Sequence, residues 1–207
     1  MAASPPSLGE ALLAAAGALL ASAEELNRLD GQAGDGDLGV TMTQVAKVLQ
    51  ERAGMAVGPS ELLASCGAEI ARRAPSTSGT LTATAFLRAS KALGEGQGGV
   101  AALERCFRAA FEGVQARGKA SVGDRTALDG LDAVCASLRR SAAEGLGVGE
   151  ALERAAEAAA EAASASATML PKAGRASWVA ERALGHPDAG CRALAIALGA
   201  VASSVDH

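Results

Sequence analysis

Apolar residues recur at three- and four-residue spacing through most of the chain, and short glycine-, proline- or serine-rich breaks interrupt them. Ser7 and Glu10 form a capping-box pattern ahead of Leu12, Leu13, Ala16, Leu19, Leu20, Ala23 and Leu26, so the first helix starts there. It stops before Asp30-Gly-Gln-Ala-Gly-Asp-Gly-Asp-Leu-Gly39, where four glycines and three aspartates replace the apolar period. The pattern predicts a second helix from about Val40 to Arg52. A third is capped by Gly58-Pro59-Ser60, with Leu62, Leu63, Cys66 and Ile70 on one face.

The polar break Pro75-Ser-Thr-Ser-Gly-Thr80 leads into a helix over Leu81 to Leu93, and Gly94 to Gly99 is a turn. Ala101 to Ala116 is helical, Arg117 to Asp124 is a loop, and Leu128 to Ala142 is helical again. Residues 148 to 170 read as the longest helix, with Leu152, Ala155, Ala159, Ala163 and Ala167 as a small-residue seam. Pro171 to Ser177 breaks it, and Gly185 to Gly190 separates a short helix from the last, Cys191 to Ser203. The result is about eight helices of two to six turns with short connections, the pattern of an antiparallel bundle or ring.

Composition sharpens this into an all-α, single-domain expectation over 1–207. Aromatic residues are only 2% of the 207, with three Phe, one Trp and no Tyr, so Ala, Leu and Val must build the core. A net charge of −4, with no Lys/Arg run longer than two, disfavours nucleic-acid binding. The most apolar stretch, Ala11 to Ala23, is too short to span a bilayer, and the amino terminus lacks the positive region of a secretory signal. Cys66, Cys106, Cys135 and Cys191 are widely separated within helical patterns and read as buried thiols of a cytoplasmic protein, not as disulfides or zinc ligands.

Candidate chemistry concentrates in the breaks. Asp30, Asp35 and Asp37 lie within eight residues, and Gly31, Gly34, Gly36 and Gly39 permit positive φ and tight reversal. Clustered carboxylates suit a hard cation such as Mg²⁺, which is held by a few carboxylates plus substrate phosphates. The Ca²⁺ loop of an EF-hand fails, since Ala46 stands where its bidentate Glu belongs. The plainer alternative is that the aspartates cap a helix and solvate a turn. Ser76-Thr-Ser-Gly-Thr80 opens a helix and reads as an anion site or as a simple N-cap. Arg117, Lys119, Arg125 and Arg175 sit in loops where an arginine can neutralise phosphate or remain a solvated charge. His186, before Pro187 and Asp188, reads as structural. No P-loop, no strand-borne glycine fingerprint and no local nucleophile–base pair occurs, which leaves metal-assisted transfer by positioning.

In this order and spacing the segments resemble the nucleotide-binding L subunit of dihydroxyacetone kinases, across nearly the whole chain. The motifs are Leu29-Asp30-x4-Asp35-x-Asp37-x-Gly39 with Met42, Ser78-Gly79, Arg117-Gly-Lys-Ala-x-x-Gly-Asp-Arg-Thr126, and Gly174-Arg-Ala-Ser-x3-Glu181-Arg-x2-Gly185-His-x-Asp188-x-Gly190. The resemblance implies a barrel of eight antiparallel helices with ADP or ATP at one end, bound through two Mg²⁺ ions. It implies Asp30, Asp35 and Asp37 as metal ligands. Leu38, Gly39, Val40 and Thr41, with Thr77, Ser78 and Gly79, would hold phosphates. Gly118, Ala127 and Arg175, with Asp188, Ala189 and Gly190, would surround the rest of the nucleotide, Arg175 also serving in transfer.

The family's ketone is carried on a histidine of a separate K subunit, so the resemblance implies that partner, no membrane or nucleic acid, and room for a homodimer. It leaves two donors open: ATP, or a phosphotransferase-system phosphocarrier that recharges a bound ADP. A non-catalytic nucleotide-sensing module is the alternative class, and a fatty-acid kinase domain ranks last. Departures from the family pattern are Leu38 in place of His, Ser76-Thr-Ser-Gly79 in place of Gly-Ala-Ser-Gly, Thr82 and Thr84 in place of bulkier residues, and Ala127 in place of Met.

Overall fold

The computed structural model describes residues 6–93, 98–172 and 180–205. Among them ten α-helices and one 3₁₀ turn occur: α1 (Leu8–Ala21), α2 (Ala23–Asp30), α3 (Leu38–Arg52), α4 (Pro59–Arg73), α5 (Thr77–Ala92), α6 (Gly99–Gly118), α7 (Ala127–Glu144), α8 (Val148–Ala165), the 3₁₀ turn Ser166–Thr168, α9 (Ala180–Ala183) and α10 (Ala189–Ser203). No strand occurs among the described residues.

Eight of these helices have 14 or more residues and form an antiparallel up-and-down ring. Each packs on the next, α1 on α3, then α4, α5, α6, α7, α8 and α10, and α10 returns to α1. The alternation collects the links α2–α3, α4–α5, α6–α7 and α8–α10 at one end. Every break that carried candidate chemistry in the sequence is one of those four.

The expected caps form. Ser7 and Glu10 make a reciprocal capping box, and Pro59 occupies the first position of α4. The predicted first helix is two: Ser22 leaves helical geometry at φ −102°, ψ 8°, and its N–H still reaches Ala18 O at 3.1 Å. Hydrogen bonding thus runs through a kink that local propensity does not reveal. The longest helix is α6, with 20 residues. The run expected over 148 to 170 ends at Ala165, where the chain tightens into the 3₁₀ turn.

The core is aliphatic, as the composition requires. Leu26, Val45, Val48, Cys66 and Ile70 form one buried cluster, and Val134, Leu138, Ala151, Ala155 and Ala159 a second. The α8 seam lets α7 and α10 approach closely: Ala155 and Ala159 have no exposed surface, and Ala163 has 3%. All four cysteines are free, with Cys135 alone half-buried. No helix among the described residues is long and apolar enough to cross a membrane.

Candidate magnesium-nucleotide site

The acidic loop closes on itself through Asp30. As the last residue of α2, Asp30 turns its carboxylate back so that Oδ2 accepts the N–H of Gly36 at 2.8 Å and of Asp37 at 3.0 Å. These bonds draw the loop into a ring in which Asp30, Asp35 and Asp37 each place one carboxylate oxygen within 4.8 Å of the other two. Asp35 and Asp37 are exposed and Asp30 half-buried.

Only one of the four loop glycines has positive φ: Gly36, at 77°. Gly34 and Gly39 are required for a different reason. A Cβ on Gly34 would lie 2.7 Å from Asp30 Oδ1, and a Cβ on Gly39 would lie 1.9 Å from the carbonyl oxygen of Ala23. The start of α3 therefore lies against the α2 backbone, a contact that side chains would prevent.

The plain capping alternative for the aspartates fails at Asp37. It stands at the N-cap of α3, yet its side chain makes no capping hydrogen bond. That task falls to Asn27, whose Oδ1 accepts the Val40 N–H at 3.2 Å from α2. A carboxylate relieved of capping, beside two others and at the positive end of a helix, suits a hard divalent cation.

Across the rim, Ser76 caps α5 by accepting the Gly79 N–H at 3.0 Å, so the simple N-cap reading of this segment is correct as far as it goes. Ser76 Oγ also lies 3.0 Å from Thr41 Oγ1, which ties the two helix starts together. With Val40 and Gly79 taken, the remaining first-turn donors are the N–H groups of Leu38 and Gly39 on α3 and of Thr77 and Ser78 on α5. Two neighbouring helix N-termini with such donors make an anion cradle next to the acidic loop. Thr77 is exposed, Ser78 half-buried, and Val40 is 58% exposed at the lip.

The other arc of the rim is built around Arg125, which is buried at 3% exposure in left-handed geometry, φ 60°. Its Nε donates to Ser166 O at 2.9 Å, and its Nη2 to Ala183 O at 3.0 Å and His186 O at 2.8 Å. The expectation that Arg125 could face a phosphate is thus corrected: its guanidinium is spent on carbonyls near the ends of α8 and α9, where a cation is favourable. Lys119 and Arg117 remain exposed. Among the described residues His186 bonds through its backbone, consistent with a structural part.

Asp129 supports the same arc, accepting the N–H groups of Gly123 and, at 2.8 Å, Thr126. Gly190 seats the start of α10 on the start of α7, for a Cβ there would lie 2.9 Å from Ala127 Cβ. Gly118, at the end of α6, faces Leu81 of α5. Asp188 is the N-cap of α10, its Oδ1 accepting the Cys191 N–H at 2.8 Å, and burial pushes its carboxyl above the ordinary range. Arg192 joins this arc to α2 through Glu25 at 2.8 Å.

The predicted residues thus occupy one rim in two groups: Asp30, Asp35, Asp37, Leu38 to Thr41 and Thr77 to Gly79 on one arc, and Gly118, Ala127 and Asp188 to Gly190 on the other. Arg175 lies outside the described residues. Asn27, Asp129 and the clamp role of Arg125 are not among the features that the sequence singles out. Asp129 was legible in the spacing Thr126-x-x-Asp129, whereas Asn27 and the partners of Arg125 are tertiary and leave no local signal.

The chain is similar in sequence and in fold to known kinases. Residues 32–203 match the family model described as the DAK2 domain. An L-erythrulose kinase of Pectobacterium atrosepticum is 36% identical over 93% of this chain and 34% of its own length. The ADP-binding subunit DhaL of a PEP-dependent dihydroxyacetone kinase from Escherichia coli is 35% identical over 81% of each chain. The dihydroxyacetone kinase of C. freundii in complex with AMP-PNP and Mg²⁺ is similar in structure, with TM-score 0.75 and 25% identity over 97% of this chain and 35% of that one. The chain therefore spans about a third of the length of some relatives and most of the length of others.

Proposed function

The chain belongs to the DAK2 domain family, and from that membership we propose that it is the Mg²⁺-nucleotide subunit of a two-component kinase acting on dihydroxyacetone or a related short ketose. The observation that carries this reading is the gathering of Asp30, Asp35 and Asp37 within 4.8 Å, beside two helix N-termini joined by the Thr41–Ser76 contact. Carboxylates so close repel one another unless a cation lies among them, and the adjoining donors are those a polyphosphate requires.

In this reading the three aspartates hold Mg²⁺, two ions by the family pattern, and the metal when bound supplies positive charge against the phosphate oxygens. The chain's own groups do the rest. Backbone N–H groups of Leu38 and Gly39, with Thr41 and the Thr77–Gly79 turn, orient the β- and γ-phosphates. Gly118, Ala127 and the Asp188–Gly190 turn would border the sugar and base, and Arg175 would complete the phosphate surroundings. Catalysis by such a site is positioning and charge stabilisation, with no covalent intermediate on this chain.

The acceptor is then presented by a second protein, the K subunit of the family. Two features favour this arrangement. The E. coli relative of comparable length is itself named a subunit, and the longer kinases carry about two thirds of their length outside the part matched here. Val40, Val122, Leu170 and Leu184, all 44% exposed or more, stand on or beside the rim links and offer a partner apolar contact. ATP, or an ADP recharged by a phosphocarrier, are the two donor modes.

Calorimetric titration with ADP and ATP, with and without Mg²⁺, tests the proposal. Micromolar binding that requires Mg²⁺ and vanishes in Asp35→Asn is the expected result, and tight binding that persists in EDTA contradicts it. Turnover with ATP as sole donor and a K subunit present separates the two donors. A nucleotide-sensing module instead binds without turnover.

A further inference from the structure

Away from the acidic rim, α7 and α8 leave a groove along the outer wall of the barrel. Two adjoining hollows share Arg140, Ala158 and Glu161. Toward the rim the floor is alanine, from Ala133, Ala136, Ala162 and Ala165, and a helix can approach such a floor closely. Away from the rim the groove reaches Ser141, which is fully buried and whose hydroxyl has no hydrogen-bond partner. A buried hydroxyl without a partner is costly, and an occupant with polar side chains can relieve that cost.

The charges along the groove are unevenly used. Arg154 is held by Glu144 at 2.6 Å and Glu150 at 2.9 Å. Arg140 on α7 and Glu157 and Glu161 on α8 border the same groove, yet none is in an ion pair within the described residues. All three are exposed, with the positive charge on the α7 bank and the negative charges on the α8 bank.

We infer that this groove is a self-complementary interface that seats the α7–α8 face of a second copy of this chain. A two-fold axis lying in the interface can run along the helices or across them. Along them, α7 of each copy faces α8 of the other at the same height, and Arg140 meets Glu157 and Glu161 of the second copy, twice over. Across them, α7 faces α7 and Arg140 meets its own equivalent. Electrostatics therefore selects the first arrangement and disfavours the second. The four helices pack over the alanine floors, and both acidic rims point the same way, so one dimer presents two nucleotide ends to one side.

Sedimentation velocity on the full chain, over a micromolar concentration range, tests this without reference to nucleotide. A concentration-dependent dimer is expected. Arg140→Glu and Glu161→Arg should each raise the dissociation constant by roughly tenfold or more, and the combined R140E/E161R chain should recover most of the loss, because the exchanged charges meet again across the axis. Ala158→Trp should abolish the dimer by filling the groove. A chain that stays monomeric throughout overturns the inference, as does a dimer indifferent to the single reversals or a double variant no tighter than either. Circular dichroism and Mg²⁺-nucleotide titration on each variant establish that it is folded. Loss of nucleotide binding by the unaltered chain would sink the kinase reading and leave this one standing.

Discussion

Thr41 Oγ1 and Ser76 Oγ stand 3.0 Å apart, joining the first turn of α3 to the N-cap of α5 across the rim of the barrel. Ser76 already accepts the Gly79 N–H, so one hydroxyl serves both the cap and the bridge. The bridge sets the spacing between the two helix N-termini that face the acidic loop. Thr41→Val keeps the shape and removes the bond at a site only 6% exposed. A loss of about 1 kcal/mol is expected, or a melting shift of roughly 2–4 °C. Mg²⁺-nucleotide affinity should weaken severalfold; a thermal melt reads the first part and isothermal titration the second.

The three aspartates should separate when tested one at a time. Asp35 and Asp37 are exposed, and Asp37 does no capping, so Asp37→Asn should leave thermal stability within about 0.5 kcal/mol while Mg²⁺-dependent nucleotide binding is lost. Asp30 also holds the loop through the Gly36 and Asp37 N–H groups, so Asp30→Ala should lose binding and about 1–3 kcal/mol as well. Equal stability losses at Asp30 and Asp37 would contradict the division of labour drawn here.

Much of this architecture can be read from the apolar period, because helix starts carry local chemistry. Ser7 with Glu10, and Pro59, each announce a cap within four residues. Since alternate links of an antiparallel ring share an end, the order of the breaks also implies that the acidic loop and the Ser76 turn are neighbours. What could not be read depends on distance. Asn27 looks like a poor helix former in α2, and only its bond to Val40 thirteen residues on explains it. Arg125 looks like a loop cation until its acceptors, 41 to 61 residues away, are brought over it. The glycines of the acidic loop were legible as necessary but not as to why, since the close approach of Gly39 to Ala23 is a contact between helices.

Arg125→Met should be the most destabilising of the rim substitutions. It takes one donor from Ser166 O and Ala183 O, which keep the N–H groups of Met169 and His186, and leaves His186 O with none among the described residues. A cost of about 3 kcal/mol is expected, which in a domain of this size lowers the melting temperature by roughly 6–12 °C. Arg125→Lys keeps the charge but cannot reach three carbonyls at once, and should fall between the two. A lysine variant as stable as the parent would show that charge alone, not the fork of donors, holds the arc.

The cysteines should be slow to react in the native protein. Burial pushes the Cys66 thiol up to about 11, and burial with nearby Glu104 and Asp132 pushes Cys135 up to about 12. Burial raises Cys106 and Cys191 as well. The thiolate is the attacking species, so at pH 8 a disulfide reagent should modify none of the four quickly, and all four at once on unfolding in guanidinium. Fast modification of a single native thiol would place that cysteine in a more open or more electropositive setting than this fold allows.

Asp188 connects stability to pH. Its carboxyl lies above the ordinary range because burial penalises the charge, partly offset by the Cys191 N–H and by Arg125. A carboxyl raised in the folded state favours the protonated form there. The stability it contributes is fully present below the unfolded value near 3.8 and is lost as pH rises through the folded value. Asp188→Asn keeps an oxygen to accept the Cys191 N–H and removes the ionisation, so its stability relative to the parent should rise with pH above about 4 and then level off. Asp188→Ala loses the cap as well as the ionisation and should lie about 1 kcal/mol below the asparagine variant at every pH. Urea titrations of the three chains between pH 4 and 8 read the difference directly. A parent that gains on the asparagine variant as pH rises would mean that the folded environment favours the carboxylate, and that the start of α10 is held by charge rather than by the cap alone.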